Sequence, residues 1–125
     1  METSLTVLIV EDEPLLRMDM VDAFEDEGYQ TFEAANADAA IDILERNPEI
    51  KVVVTDIDMP GSMDGLRLAA AVRDRWPPVR IVVVSGQRIV EITDLPSGSV
   101  FFSKPYRHSE ILGSVRELLA SNTGV

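Results

Sequence analysis

The hydrophobic residues of the chain fall into short runs separated by longer amphipathic stretches. Four runs, rich in β-branched residues and too short for ordinary helices, predict strands over residues 5–10, 51–55, 79–84 and, more weakly, 99–102. A fifth run, 29–34, alternates apolar and polar residues and predicts an outer strand. The runs at 51–55 and 79–84 are nearly continuous Val and Ile, which is typical of parallel strands covered on both faces.

The stretches between and after these runs have the spacing of helices. Helices are predicted over 14–27, 37–46, 64–75, 88–93 and 110–120, the fourth being short and poorly patterned. In the first, Leu16, Met20 and Phe24 recur at four-residue spacing until Gly28 ends the run, and Asn36 is placed to cap the second. Strand and helix therefore alternate five times, which predicts an α/β fold with a parallel sheet and right-handed crossovers.

Composition and charge restrict the kinds of partner. The 125 residues include 11 Lys and Arg against 22 Asp and Glu, a net charge of −11, which disfavours nucleic acid and anionic membranes as ligands. The hydrophobic fraction of 46% is enough for a core. The sequence has no Cys, which excludes disulfides and thiolate chemistry, and it has neither a signal peptide nor an apolar run of about 18 residues. We expect one cytoplasmic domain.

Polar residues follow four of the predicted strands. They are Glu11-Asp12, Asp56 with Asp58 two residues later, Ser85-Gly86 and Lys104-Pro105. Because ligands of open parallel sheets bind outside the carboxyl ends of the strands, we expect these side chains to converge. Clustered carboxylates raise one another's pKa unless a cation neutralises them, and Mg²⁺ prefers oxygen ligands. A lysine and a serine beside that cation would suit the oxygens of a phosphoryl group.

These residues resemble those of the receiver domain of two-component response regulators. The matching motifs are Val-Leu-Ile-Val-Glu-Asp-Glu-Pro at 7–14, Thr-Asp-Ile-Asp-Met-Pro-Gly at 55–61, Met-Asp-Gly-Leu at 63–66, Val-Ser-Gly at 84–86 and Ser-Lys-Pro-Tyr at 103–106. The resemblance spans nearly the whole chain. It implies a three-layer, flavodoxin-like (βα)5 fold, a doubly wound parallel sheet with strand order 2-1-3-4-5.

The resemblance also implies roles for the acidic residues. Asp56 would be the phosphoacceptor, a carboxylate nucleophile that forms an aspartyl-phosphate. Asp12 and Asp56 would ligate Mg²⁺, with Mn²⁺ as an alternative, and Glu11 would hold the ion directly or through water. The backbone carbonyl of Asp58 would complete the protein ligands.

Three other residues acquire roles in the same way. Lys104 would pair with the phosphoryl group, aimed by a cis peptide before Pro105, and Ser85 would move to hydrogen-bond it. Phe101 occupies the position of a switching aromatic, although packing in the core is an equal interpretation.

Two departures from the family pattern lie beside the site. Residues 61–63 lengthen the loop after the nucleophile by one residue, and the stretch from Ser85 to Lys104 is about three residues shorter than usual. The shortening affects the face that relatives use for output, formed by their fourth helix, last strand and last helix. We hypothesise that Gln87 and Asp58 set the lifetime of the phosphoryl group, which unchanged dephosphorylation of Gln87→Ala and Asp58→Asn would contradict.

Four polar or aromatic residues have simpler structural interpretations. Glu13 is predicted to be a solvated residue of the first helical turn, and Asp64 to cap the third helix. His108, the single histidine, is predicted to be an exposed residue at the start of the last helix, because no second ligand accompanies it. Trp76 is predicted to pack at a helix end.

The resemblance favours a stand-alone receiver over residues 1–125, with a core over about 5–120 and no output domain. A sensor histidine kinase or histidine phosphotransfer protein would phosphorylate Asp56, and the altered surface would signal to a protein target. Such a protein is not an enzyme beyond its own phosphorylation and slow autodephosphorylation. One alternative is a haloacid-dehalogenase-like phosphohydrolase that uses Asp56 and Asp58, and another is a receiver-like binding module that is never phosphorylated.

Overall fold

A parallel sheet of five strands forms the middle layer of the protein. The computed structural model describes residues 5–57, 65–85, 99–103 and 107–123, with side chains to residue 120. The strands are β1 (Thr6–Val10), β2 (Gln30–Ala34), β3 (Ile50–Asp56), β4 (Arg80–Ser85) and β5 (Val100–Ser103). Their order is β2-β1-β3-β4-β5 and every neighbouring pair is parallel. The predicted flavodoxin-like order is therefore confirmed.

Four helices lie in the described part of the chain. They are α1 (Pro14–Asp26), α2 (Ala37–Arg46), α3 (Gly65–Arg75) and α4 (His108–Thr123). None of these is long and apolar enough to cross a membrane. The predicted helix over 88–93 and the predicted cap Asp64 lie outside the described residues.

The strands separate two apolar clusters because successive side chains point to opposite faces. In β3, Val53 belongs to the cluster beneath α2 and α3, whereas Val52 and Val54 belong to the cluster beneath α1 and α4. The exposed residue of this strand is Lys51, where the ladder to β1 shifts register. Beyond that shift the pairing is regular and places Val10 opposite Thr55 at the carboxyl end.

Two helix starts show how the sequence sets local structure. The Asn36 side chain accepts a hydrogen bond of 2.8 Å from the backbone N–H of Ala39, so the predicted cap of α2 is confirmed. Glu13 was predicted to lie in the first turn of α1, but it is the N-cap, and its carboxylate accepts from the N–H of Leu15 at 3.0 Å. Pro14 then takes the first helical position, where no N–H is needed.

The apolar face of α1 differs from the prediction. Met20, Val21 and Phe24 are buried, whereas Leu16 is 41% exposed. Four-residue spacing advances about 40° per step around a helix with 3.6 residues per turn, so Leu16 lies about 80° from Phe24. Leu16 also lies about 140° from Val21, so it falls outside the face of about 100° that contains the three buried residues.

The last helix begins earlier than predicted, whereas Trp76 lies where it was predicted. Helix α4 begins at His108, two residues earlier than predicted, and His108 is half-buried and not exposed, because α4 docks against the sheet from its first turn. Trp76 packs at the end of α3 as predicted, partly buried against the α2–α3 cluster, with the Arg75 guanidinium 4.5 Å from its ring centre.

Candidate phosphoryl and metal site

The carboxyl ends of the strands lie in register along one edge of the sheet. Asp56 pairs with Val84 on β4, and Ser85 pairs with Ser103 on β5. On the other side of β3, Thr55 pairs with Val10, so Glu11 follows at the same edge. The sequence therefore delivers acidic and hydroxyl side chains from three adjacent strands to one place, as predicted from the strand ends.

Three carboxylates form the centre of this edge. Glu11, Asp12 and Asp56 each offer an oxygen, and these oxygens all lie within 4.8 Å of one another. Glu11 and Asp56 are 6% and 3% exposed, and Asp12 is more exposed than either. Two unit charges at 4.8 Å repel by about 0.9 kcal/mol in water and by about 3.5 kcal/mol at an effective dielectric constant of 20. Such a cluster favours a multivalent cation.

Glu11 is held at three points. Its N–H donates to the carbonyl of Ala34 at 3.0 Å, which extends the ladder between β1 and β2 by one residue. Its carboxylate accepts from the N–H of Glu13 at 3.1 Å, and its carbonyl accepts from the guanidinium of Arg17 at 2.8 Å. Arg17 also contacts Glu33 on β2 through a 3.1 Å ion pair.

Asp56 is fixed through its backbone. The Thr55 hydroxyl donates to the carbonyl of Asp56 at 3.0 Å. The next residue, Ile57, donates its N–H to Val84 at 2.9 Å and accepts from the N–H of Gly65 at 3.1 Å. These bonds tie the end of β3 to the end of β4 and to the start of α3.

Gly65 packs directly on this backbone. A Cβ at Gly65 would lie 2.2 Å from the Asp56 carbonyl oxygen and 2.6 Å from the Ile57 Cα. Only glycine fits at that distance, so the first residue of α3 approaches the end of β3 as closely as the backbone allows.

Two of the other predicted site residues lie in the described part of the chain, and three lie outside it. Ser85 is buried, 1% exposed, at the end of β4 next to β3. Phe101 is half-buried in β5 and packs against the α2–α3 cluster. Lys104, which directly follows the last residue of β5 in the chain, lies outside the described residues, as do Asp58 and Gln87.

The sequence interpretation missed two contacts at the acidic site: the hydrogen bond from Arg17 to the Glu11 carbonyl and the packing of Gly65 on the Asp56 backbone. The available signal for Arg17 was a single basic residue in the acidic first helix, six positions after Glu11. The signal for Gly65 was a glycine at the first position of a helix, where most residues are tolerated.

The donor set fits Mg²⁺. All three side chains offer carboxylate oxygens, the hard ligands that Mg²⁺ and Mn²⁺ accept, and two of the three are buried where an isolated charge is costly. Imidazole or thiolate groups are absent from the cluster, so softer metals are not favoured.

Comparison with known proteins gives consistent results. The family of response regulator receiver domains matches residues 7–116. The chain is 36% identical over 120 residues to the sensor kinase CckA of Brucella abortus, covering 93% of this chain but 13% of that protein. It is 31% identical over 118 residues to the sporulation initiation phosphotransferase F of Bacillus subtilis, covering 90% of this chain and 92% of that protein.

Solved structures agree with this assignment. The crystal structure of a response regulator receiver protein from Sinorhizobium medicae has a TM-score of 0.89 and 28% sequence identity, covering 95% of this chain and 97% of that one. With the family match, the strand order and the acidic cluster in place, the chain belongs to the response regulator receiver domains.

Proposed function

We propose that this receiver domain is a phosphoacceptor in a two-component pathway and that Asp56 carries the phosphoryl group. The observation that carries the proposal is the cluster of Glu11, Asp12 and Asp56 within 4.8 Å, at the edge of the sheet where Ser85 also ends a strand. At that edge the buried Asp56 carboxylate would be the nucleophile, and the carboxylates beside it would help to hold a cation that neutralises the charge.

The proposed step is phosphoryl transfer from a phosphohistidine. A carboxylate oxygen of Asp56 attacks phosphorus, the P–N bond breaks, and the imidazole nitrogen keeps the electron pair and takes up a proton. Glu11, Asp12 and Asp56, with the backbone carbonyl of Asp58, would hold Mg²⁺ or Mn²⁺, which neutralises the charge of the phosphoryl oxygens when bound. Lys104 and Ser85 are proposed to contact those oxygens, and Phe101 to be the switching aromatic.

The proposed partners are a sensor histidine kinase or a histidine phosphotransfer protein, and a downstream protein target, all met in the cytoplasm. Three large apolar side chains at the start of α1 support protein contact close to the site. Leu15, Leu16 and Met18 are 70%, 41% and 57% exposed, and α1 begins two residues after Asp12. Neighbouring exposed apolar side chains of this kind mark protein interfaces.

The decisive experiment is phosphorylation by a small donor. Wild type, Asp56→Asn and the control Asp19→Asn are incubated with acetyl phosphate and Mg²⁺, and the intact mass is measured over time. We expect one stable added phosphate on wild type and on Asp19→Asn and none on Asp56→Asn, because Asp19 lies on the exposed face of α1. Omitting Mg²⁺ should abolish the modification.

Other outcomes identify the alternatives. Continuous release of inorganic phosphate from phosphate monoesters, lost in Asp56→Asn, would indicate a haloacid-dehalogenase-like phosphohydrolase. Absence of modification even with a phosphorylated histidine kinase would indicate a binding module. One stable phosphate on Asp56, without continuous phosphate release, would support the proposal that residues 1–125 act as a single receiver without enzymatic turnover.

A further inference from the structure

We propose that Arg17 is a positioning residue for the metal-binding pair Glu11-Asp12, an inference that rests on the proposed function. Arg17 does not belong to the acidic cluster. Its Nη1 donates to the carbonyl oxygen of Glu11 at 2.8 Å, and its Nε donates to Glu33 Oε1 at 3.1 Å. One guanidinium therefore joins α1, the residue after β1, and β2.

The proposed role of Arg17 depends on which atom of Glu11 accepts its hydrogen bond. The carbonyl of Glu11 belongs to the peptide that joins Glu11 to Asp12, so the bond to Arg17 fixes the plane from which both acidic side chains leave the backbone. The N–H of Glu11 is already bound to Ala34 at 3.0 Å. With both backbone groups of Glu11 bound, the orientation of the pair is set before any cation arrives.

The surroundings of Arg17 suit this role. Its side chain is 21% exposed, whereas that of Glu33 is 51% exposed. A partly buried guanidinium has less room to move than a solvated one. Its fork of donors is also rigid and loses little freedom per hydrogen bond. Glu33 holds the far side of that fork and directs the near side to the carbonyl of Glu11.

Charge and position predict opposite effects of removing Arg17. A positive guanidinium bound to the Glu11 carbonyl, beside the metal-binding pair, repels a divalent cation, so its loss would tighten Mg²⁺ binding if only its charge mattered. If Arg17 holds the pair in place, its loss weakens Mg²⁺ binding, because the ligands must be ordered when the cation binds. Residues that orient metal ligands typically contribute about 10–100-fold to metal affinity.

The test is calorimetric titration of the unphosphorylated protein with Mg²⁺ alone. We expect Arg17→Met to weaken binding by about 10-fold or more. Arg17→Lys, which keeps the charge without the fork, should be weakened measurably, and Glu33→Gln by a smaller factor. The control Arg73→Met removes an exposed guanidinium that pairs with Asp74 and should leave the affinity unchanged. Unchanged or tighter binding by Arg17→Met would overturn the proposal.

The outcomes separate this inference from the proposed function. If wild type binds Mg²⁺, Asp12→Asn loses that binding and Arg17→Met keeps it, the positioning role alone is wrong. If wild type does not bind Mg²⁺ at all, both are wrong. Circular dichroism and urea unfolding identify a variant that does not fold; if Arg17→Met is one, Arg17→Lys and Glu33→Gln decide, and wild-type affinity in both overturns the positioning role.

Discussion

Replacing Gly65 with Ala should damage both stability and phosphorylation, because no space exists for a methyl group. The added Cβ would lie 2.2 Å from the Asp56 carbonyl oxygen, 2.6 Å from the Ile57 Cα and 2.8 Å from the Asp56 carbonyl carbon. These are backbone atoms, so no side-chain rotation relieves the collision. Either the start of α3 or the end of β3 must move.

The cost follows from three contributions. Overpacking against a fixed neighbour costs about 1–3 kcal/mol. Moving α3 away also lengthens the hydrogen bond of 3.1 Å from Gly65 to Ile57, worth about 1 kcal/mol. Alanine returns up to about 1 kcal/mol through its higher helix propensity. The expected loss in the free energy of unfolding is about 1–3 kcal/mol.

Urea unfolding measures this loss, and two other glycines supply controls. Gly113 in α4 has open space at its Cβ, so Gly113→Ala should stabilise by about 0.5–1 kcal/mol. Gly28 also has space but adopts a φ of +95°, so Gly28→Ala should destabilise through the backbone alone. Acetyl phosphate labelling should be slowed in Gly65→Ala only. A Gly65→Ala protein within 0.5 kcal/mol of wild type and labelled at the wild-type rate would refute this reasoning.

Three further predictions concern the cap of α2, the acidic cluster and Tyr29. Asn36→Ala should lose about 1 kcal/mol in urea unfolding while Asn36→Asp stays near wild type, since the side-chain bond to α2 is the difference; equal midpoints for Ala and Asp would contradict the cap. Mg²⁺ at ten times its dissociation constant should stabilise wild type by about 1.4 kcal/mol. Asp12→Asn should lose that gain and be more stable than wild type without metal, because one repulsion is removed; a full Mg²⁺ response in this variant would exclude Asp12 as a ligand. Burial raises the pKa of Tyr29 above its usual 10.0, with the Arg116 charge opposing the shift. The folded protein then keeps a proton that the unfolded chain releases, so this stabilisation is complete below pH 10 and is lost as the pH rises toward the folded pKa; Tyr29→Phe should remove that part of the decline in a series of unfolding curves, and an unchanged series would contradict it.

The sheet could be predicted well from the sequence because the burial of each strand determines its pattern of apolar residues. Continuous Val and Ile in β3 and β4 identified central strands, and the alternating run at β2 identified an edge strand, as observed. Once the strands are parallel, their carboxyl ends share one edge, so the meeting of Glu11, Asp12 and Asp56 followed from topology.

The missed features depend on distances between elements. The hydrogen bond from Arg17 to Glu11 requires the side chain to turn back over the start of its own helix, and the packing of Gly65 on Asp56 requires α3 to reach β3 at backbone contact. Neither distance follows from residue type or spacing. Leu16 shares the four-residue spacing of Met20 and Phe24 but is exposed, because residues at that spacing drift around the helix by about 40° per step.

Ile57, the residue after the proposed phosphoacceptor, has a consequence for how a change at Asp56 spreads. Its side chain is fully buried and both of its backbone groups are bound, one to β4 and one to α3. A shift of the Asp56 backbone should therefore displace β4 and α3 together, because Ile57 is hydrogen-bonded to both. Amide hydrogen exchange at Ile57 and Gly65 should then report the same opening event, because Ile57 couples the proposed phosphoacceptor to both β4 and α3.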